Sequence, residues 1–383
     1  MLSVKEITDT ESFLALALRW TELASASASC TIFQTYEWNA AWLRHVGRGR
    51  LFVLTVSEGS ELVGIAPFVI RRSYGLPLRR LEFMATGPSD YLGVIAAAGR
   101  DADVWACVLK HVVRQDDLWD VADLQQIPEC EAVRAAAEAV RAQGFSVSLV
   151  PQTVCPYLPL GGSREAFLAS LGSKTRWNLR YYERVLKRSH DLAMELVPAC
   201  DLVSEMQALF RLHSARWRTK RLPGVLALPA IRRFHLSAAR SFAQAGWLRL
   251  FRLRLDGATV ASLYCFSYKG KGYYYLGGFD PRYARMSIGT LLTGHAIGEL
   301  ADEGCREMDF LRGGEAYKYR WGCTDRANLR LTLVKPGLRS RIAGWVVRAE
   351  QWVADAWESR MHRPEAGRLQ SDQQRTPTRN MEG

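Results

Sequence analysis

At 383 residues, 48% hydrophobic and 23% charged, the chain has an ordinary soluble globular composition and enough length for two domains. Its net charge of +12 is uneven: residues 1–160 hold 14 Lys+Arg against 18 Asp+Glu, and residues 161–383 hold 37 against 21. The second half should therefore meet any anionic partner, whether coenzyme phosphates, nucleic acid or a membrane surface. The eight cysteines (Cys30, Cys107, Cys130, Cys155, Cys200, Cys265, Cys305, Cys323) are scattered, with no C-x-x-C pair. That argues for a reducing compartment and against a disulfide framework or a structural zinc site. Lys5, Glu6, Asp9 and Glu11 precede the first short apolar run, which is not the pattern of a signal peptide. No stretch of ~20 apolar residues is present to span a membrane, so a cytoplasmic location is expected.

In the first half, Phe13 to Ala24 and Tyr36 to His45 have helical periodicity, the second with Trp38 and Trp42 one turn apart. Leu51–Val56 and Leu62–Ile70 are β-rich apolar runs around a Glu58-Gly59-Ser60 turn, which reads as a hairpin. Leu81–Met84, Leu92–Ala96, Val121–Gln125 and Phe145–Val150 read as further strands, and Asp101–Arg114 and Glu129–Gln143 as helices. This alternation predicts an α/β fold with a mixed sheet under helical cover. Between the middle strands, Gly87-Pro88-Ser89-Asp90-Tyr91 is a polar turn. Asp90 could orient a substrate amine there, or simply cap the turn's backbone.

Gln152 to Gly162, rich in Pro and Gly, reads as the crossing between domains. A helix from Ser173 to Arg188 follows. Arg176, Arg180 and Arg184 stand four residues apart on it, with Lys187 and Arg188 extending the cluster and Trp177, Tyr181 and Val185 on the next stripe. A solvated face is the plain alternative, but only Glu183 offsets six positive charges, which favours a ridge for phosphate or an acidic substrate. Leu202 to Thr219 is another helix, with His213 and Trp217 one turn apart. Pro223-Gly224 breaks the chain after it, and Pro229–Ala245 forms the next helix. A lone helical His is usually a packed residue, so His213 is a second-rank base.

Leu248–Leu255, Thr259–Ser267 and Gly272–Phe279 form the central strands, joined by Asp256-Gly257 and by Lys269 to Gly272 as hairpin turns. The third strand leads through Asp280-Pro281-Arg282-Tyr283 into Arg285-Met286-Ser287-Ile288-Gly289-Thr290, which opens a long helix reaching about Glu303. Free N–H groups and the helix dipole make such an opening a natural anion site, with Ser287 as the expected N-cap. An ordinary capped helix is the alternative.

Asp309 to Gly322 is the densest stretch of chemistry. A short strand from Glu307 to Leu311 meets Gly313-Gly314, and Asp309, Arg312, Glu315, Tyr317, Lys318 and Tyr319 crowd the loop around them. Leu329–Val334 is a last strand. Leu338 to Met361 is amphipathic, with Ile342, Trp345, Val346, Ala349, Trp352 and Val353 at helical spacing. That helix is expected to pack on the domain, with a membrane-surface role as the alternative because Arg339, Arg341 and Arg348 flank the tryptophans. From about Arg363 the composition is that of a disordered tail.

These motifs carry a resemblance. Asp309-Phe310-Leu311-Arg312-Gly313, then Glu315, Tyr317-Lys318 and Trp321-Gly322, is similar to the C-terminal signature of GNAT-like acyltransferases grouped with the CelD cellulose-biosynthesis proteins, themselves related to the FemAB peptidyltransferases. Leu212-His213-x-x-Arg216-Trp217 with Pro223-Gly224, and Gly278-Phe279-Asp280-Pro281, also match. The likeness spans roughly residues 170 to 322 and is fainter from Trp20 onward.

The resemblance implies two tandem GNAT-like (acyl-CoA N-acyltransferase) domains, drawn at residues 1–160 and 161–361 with a tail at 362–383. It implies transfer of an acyl group, acetyl by preference, from acyl-CoA to an amine, without a metal. The CoA pyrophosphate would lie at Arg285, Ser287, Ile288, Gly289 and Thr290. The usual GNAT loop, Arg/Gln-x-x-Gly-x-Gly/Ala, is altered here: Arg285 is followed by Ile288 and Gly289.

Catalytic candidates are Asp309 or Glu315 as base, Lys318 for charge stabilisation and Tyr317 or Lys318 for the leaving thiolate. Asp90, Arg176, Arg180, His213, Arg216, Trp217 and Arg312 are the substrate-binding set. The rivals are a FemAB-type transferase using aminoacyl-tRNA, which would suit the basic second half, and a non-catalytic polysaccharide-biosynthesis protein. The acceptor is expected to be a small-molecule or glycan-precursor amine.

Overall fold

The chain was described by a computed structural model covering residues 1–73, 76–219, 222 and 224–361. Pro223 and the tail expected from residue 363 onward lie outside the described residues. The first half runs β1 (Leu2–Ile7), α1 (Thr10–Ala15), α2 (Ala17–Ala26), α3 (Tyr36–His45), β2 (Arg50–Glu58), β3 (Glu61–Arg72), β4 (Arg79–Phe83) and β5 (Ile95–Ala96). It continues through α4 (Asp101–Arg114), β6 (Val121–Pro128), α5 (Glu131–Arg141) and β7 (Ser146–Pro159). The second half runs α6 (Arg164–Ser170), α7 (Ser173–Ser189), β8 (Leu192–Leu196), α8 (Leu202–Thr219), α9 (Pro229–Gln244), β9 (Leu248–Leu255), β10 (Ala258–Tyr268) and β11 (Lys271–Phe279). It ends with α10 (Ile288–Asp302), β12 (Glu307–Asp309), α11 (Ala316–Tyr319), β13 (Thr324–Val334) and α12 (Leu338–Met361).

The two halves repeat one topology. Strands β1 to β4 pair antiparallel in order, and β6 joins β4 in parallel after α4. Strands β8 to β11 do the same, and β12 joins β11 in parallel after α10. A parallel neighbour requires a crossover, and a helix makes it both times. Helices cover both faces of the middle strands, which is why Val260 to Phe266 of β10 are buried without alternation. This is an α/β fold of two similar halves on a mixed sheet, the arrangement that the resemblance implied.

One sheet holds both halves, in the order β1-β2-β3-β4-β6-β13-β7-β12-β11-β10-β9-β8, with β5 beside β3. The join is made by β7, longer than the Phe145–Val150 strand expected. It runs through most of the proline-rich crossing, pairs with β13 from Ser146 to Tyr157, and reaches β12 at Pro159. Pro151 sits at a register shift opposite Leu329, where the ladder tolerates a missing N–H. The last strand of the chain therefore lies inside the sheet of the first half. Buried Arg330 on β13 fixes it there through a two-pronged ion pair to Asp123 of β6, at 2.6 and 2.8 Å.

The halves also share a core. Trp38 of α3 is fully buried, its ring 4.7 Å from Phe234 and 5.8 Å from Phe242, both of α9. Truncating such an aromatic costs ~3–5 kcal/mol. The Phe13–Ala24 helix is divided at Leu16 into α1 and α2, and the expected Leu92–Ala96 strand pairs only at Ile95–Ala96.

Candidate active site

Strands β11 and β12 pair over only three residues, Lys271↔Glu307 to Tyr273↔Asp309, and then separate. Beyond that point Tyr264 pairs with Leu276 and Cys265 with Tyr274, leaving Tyr275 as an extra bulged residue on β11. Helix α8 closes one side of the gap. A Cβ on Gly278 would stand 2.5 Å from the His213 backbone nitrogen, so only glycine admits this approach.

At the opening lies a cavity of about 360 Å³. Its walls are Gly277–Phe279 and Tyr274 of β11, Ser287–Thr293 at the head of α10, Thr175, Asn178, Leu179 and Tyr182 of α7, Arg216, Tyr317, Arg320 and Trp321. Four of the five residues expected to hold a donor's phosphates, Ser287, Ile288, Gly289 and Thr290, therefore face one space. The N–H of Leu291 bonds back to the Ser287 carbonyl at 3.0 Å, so the three amides before it head the helix. Ser287 occupies the N-cap, but in the left-handed conformation (φ 52°) and without a side-chain cap bond. Arg285 is exposed on the 3₁₀ turn Pro281–Met286 and is not part of the cavity wall.

Two tyrosines and an arginine give the cavity its polar character. The Tyr274 and Tyr317 rings are 6.5 Å apart, and the Arg216 guanidinium lies over Phe279 at 5.2 Å. Burial pushes the Tyr274 phenol up to about 12 and holds the Tyr317 phenol well above its ordinary range, against the pull of Arg216. Both rings carry their proton at neutral pH.

Behind the cavity a polar cluster clasps the halves together. Asp309, fully buried at the end of β12, accepts from the Tyr91 hydroxyl (2.6 Å) and the Leu311 N–H (2.7 Å), and pairs with Arg326 at 3.1 Å. Burial raises its carboxyl to about 7, although both hydrogen bonds and Arg326 act in the other direction. Arg312 pairs with buried Asp90 at 3.0 Å and donates to the Gly87 carbonyl, while the Tyr275 hydroxyl donates to the Pro88 carbonyl at 2.6 Å. Burial raises the Asp90 carboxyl too, despite Arg312 and Lys318. The polar turn of the first half is thus held by the signature loop of the second.

Lys318 organises that loop. Its ammonium, 2% exposed as a residue, donates to the carbonyls of Leu311 (3.0 Å), Arg312 (2.8 Å) and Gly313 (2.8 Å), and pairs with Glu315 at 2.8 Å. Three N–H donors meet four acceptors, all from the protein. Gly313 makes the turn possible: its φ is 102°, and a Cβ there would stand 2.7 Å from the Glu315 carboxylate. Glu315 is half-buried, and its charge acts on both Tyr274 and Tyr317.

The remaining expected residues stand apart. Arg176 and Arg180 are on the outer side of α7, whose inner side lines the cavity. There they border an open groove with Arg184 and Lys187, beside the stacked, exposed Trp177 and Tyr181 rings (4.7 Å). His213 is buried 5.8 Å from the Trp217 ring, and burial, with Arg216 and Arg232 nearby, lowers it to about 4. It is neutral at ordinary pH. Tyr91 was marked only as part of the polar turn, and Tyr274, Tyr275 and Arg326 were not singled out from the sequence. The Tyr273-Tyr274-Tyr275 run on a strand was the one visible signal for Tyr274 and Tyr275.

Comparison with known proteins bears on the domain type and the fold. Residues 173–319 match the family model described as Acetyltransferase (GNAT) domain. No curated protein sequence matches the chain. Among solved structures, FemX is similar with a TM-score of 0.62 at 10% identity, over 85% of this chain and 96% of that one. L-PGS from Bacillus licheniformis gives 0.54 at 12% identity, over 93% and 99% of the two chains. The C-terminal domain of a putative lysylphosphatidylglycerol synthetase from Agrobacterium fabrum gives 0.53 at 13% identity, over 86% and 94%. At these identities the likeness is one of fold. The match over residues 173–319 thus marks a GNAT-type domain and supports an N-acyltransferase, set in a fold the chain shares with FemX.

Proposed function

We propose that the protein moves an acetyl group from acetyl-CoA to a primary amine on a cell-envelope or polysaccharide precursor. One observation carries the reading: the cavity where β11 leaves β12 is headed by the first three amides of α10, which precede its first intrahelical bond. Amides at a helix start suit a pyrophosphate, and a splayed strand edge suits an extended pantetheine arm. Residues 1–160 would present the acceptor through the Gly87–Tyr91 turn, and residues 161–361 would hold the donor. The CelD resemblance and the FemX-like fold support an envelope or polysaccharide acceptor.

In this scheme the neutral amine attacks the thioester carbonyl. A backbone N–H on the free edge of β11 receives the oxyanion. Glu315, directly or through a water, takes the amine proton, and Tyr317 protonates the departing thiolate as the C–S bond breaks. Solvent returns the proton from Glu315 to Tyr317. Lys318 acts as a positioning residue, because its donors already hold the loop and Glu315. Asp309 holds the halves together.

Calorimetric titration with CoA tests the donor. Binding should weaken by ~1–3 kcal/mol in Arg216→Ala, since a charged donor leaves the cavity wall. No CoA binding to the wild-type chain would overturn the reading.

The basic groove on α7 favours a second one, in which aminoacyl-tRNA is the donor, as the FemAB resemblance implies. Affinity for tRNA would then fall steeply with log salt and be lost in Arg180→Glu/Arg184→Glu, whereas CoA binding would respond weakly.

A further inference from the structure

We propose that helix α12 is a docking face for an anionic lipid bilayer. Its inner side is spent on the fold: Ser340, Ala343, Gly344 and Val347 are buried, the last three against a small cluster of Leu78, Val121 and Val334. Gly344 allows this closeness, since a Cβ there would stand 2.8 Å from the Val334 side chain. At 100° per residue, Leu338, Ile342, Trp345, Ala349, Trp352 and Val353 fall on the opposite side, in a stripe about 100° wide. Among the described residues that stripe faces outward without cover: Leu338 is 76% exposed, Trp345 72% and Trp352 73%.

A helix packed on a globular domain ordinarily turns polar residues outward. From residue 338 to 353 both sides are apolar, and the outer one contains no charge. Two tryptophans at i and i+7 on an outward stripe match the anchors that sit at a membrane–water boundary.

The charges around the stripe name the partner. Arg341 and Arg348 border one edge, and neither has an ion pair among the described residues. Arg339 borders the other and pairs with Asp120 at 3.1 Å. Glu350 is the one carboxylate between residues 338 and 353, and it is turned to Arg80 at 2.6 Å. Between residues 338 and 353 the free charge beside the stripe is thus cationic, complementary to anionic headgroups. This inference does not depend on which acyl donor the cavity takes.

The test is co-sedimentation of the full chain with vesicles of phosphatidylcholine mixed with phosphatidylglycerol, and of phosphatidylcholine alone. The wild-type chain should pellet with the mixed vesicles and weakly with the neutral ones. Trp345→Ser/Trp352→Ser, exposed and charge-neutral changes, should lower vesicle affinity roughly tenfold or more at unchanged melting temperature. Arg341→Gln and Arg348→Gln should each lower it about fivefold. Arg176→Gln/Arg180→Gln, on the other basic helix, should leave it unchanged, which separates docking from the general attraction of a cationic protein. Wild-type chain left in the supernatant, or a tryptophan double variant that pellets like wild type, would overturn the proposal. So would loss of binding in the α7 variant alone. A wild-type dimer that the tryptophan variant converts to monomer, with no vesicle binding, would assign the stripe to a second copy and likewise overturn it.

Discussion

The hydroxyl of Tyr91 lies 2.6 Å from the buried Asp309 carboxylate, across 218 residues of sequence and across the two halves of the fold. With Arg312–Asp90 and Tyr275–Pro88 it ties the polar turn of the first half to the signature loop of the second. Removing it in Tyr91→Phe takes one donor from a buried acid and should cost ~1.5–3 kcal/mol. A urea titration measures the loss.

Asp309 should also give a stability slope with a defined sign. Its folded value of about 7 lies above the ordinary 3.8, so the native state retains the proton longer than the unfolded chain. The contribution is fully present below the unfolded value and is lost as pH rises through about 7. Asp309→Asn imitates the protonated form and should remove this component, ~3–4 kcal/mol over that window. Wild-type minus variant stability, followed by urea melts from acid to neutral pH, isolates it. A constant difference would mean Asp309 titrates alike in both states.

Buried neutral histidine acts in the opposite direction. Burial depresses His213 to about 4 and His235 to about 3, so on acidification the unfolded chain takes up protons first. For His213 the stability is present above about 6.5 and is lost as pH falls to about 4, on the order of 3 kcal/mol. His213→Asn should flatten that part of the acid limb, whatever it costs at neutral pH. An unchanged limb would remove His213 as a source of acid sensitivity.

Much of the repeat was legible in the sequence, because apolar runs bounded by Asp256-Gly257 and Glu58-Gly59 turns have few other readings. The insertion of β13 between β6 and β7 was not. Alternation along Thr324–Val334 tells which side chains are buried but not which strands lie alongside. The site divides in the same way. Ser287–Thr290 could be read as an anion site because a helix start has that property wherever it lies. That Asp309 meets Tyr91, and that Lys318 meets three carbonyls, depends on distances between segments, and no local pattern encodes those.

Lys318 gives a sharp structural test. Lys318→Met leaves the carbonyls of Leu311, Arg312 and Gly313 without their shared donor and Glu315 without its partner. The expected cost is ~3 kcal/mol or more, with turnover lost alongside. Lys318→Arg should not rescue it, because a planar guanidinium cannot point three donors at converging carbonyls. Melting curves of both variants decide this, and a wild-type melt for Lys318→Arg would show that charge alone suffices.

Glu315 and Tyr317 should behave as reacting groups where Asp309 and Lys318 behave as supports. Glu315→Gln keeps the size of the side chain and a hydrogen-bonding oxygen for Lys318, so the fold should survive. What it loses is a base, and general-base catalysis contributes typically ~10²–10⁴-fold. The loss should fall on kcat with CoA affinity unchanged, since the proton moves only in the reacting complex. Tyr317→Phe leaves the cavity wall in place and removes only the acidic hydroxyl. Its effect should be largest with a poor leaving group and should shrink when the thioester carries a more acidic thiol, which needs no proton to depart. Single-turnover transfer from an alkyl and an aryl thioester, run on both variants with a melting curve for each, separates the two roles. Equal slowing of both thioesters by Tyr317→Phe would make the hydroxyl a binding group. A wild-type rate in Glu315→Gln would move the base to another carboxylate, and buried Asp90, within reach of the same loop through Arg312, would be the next to change.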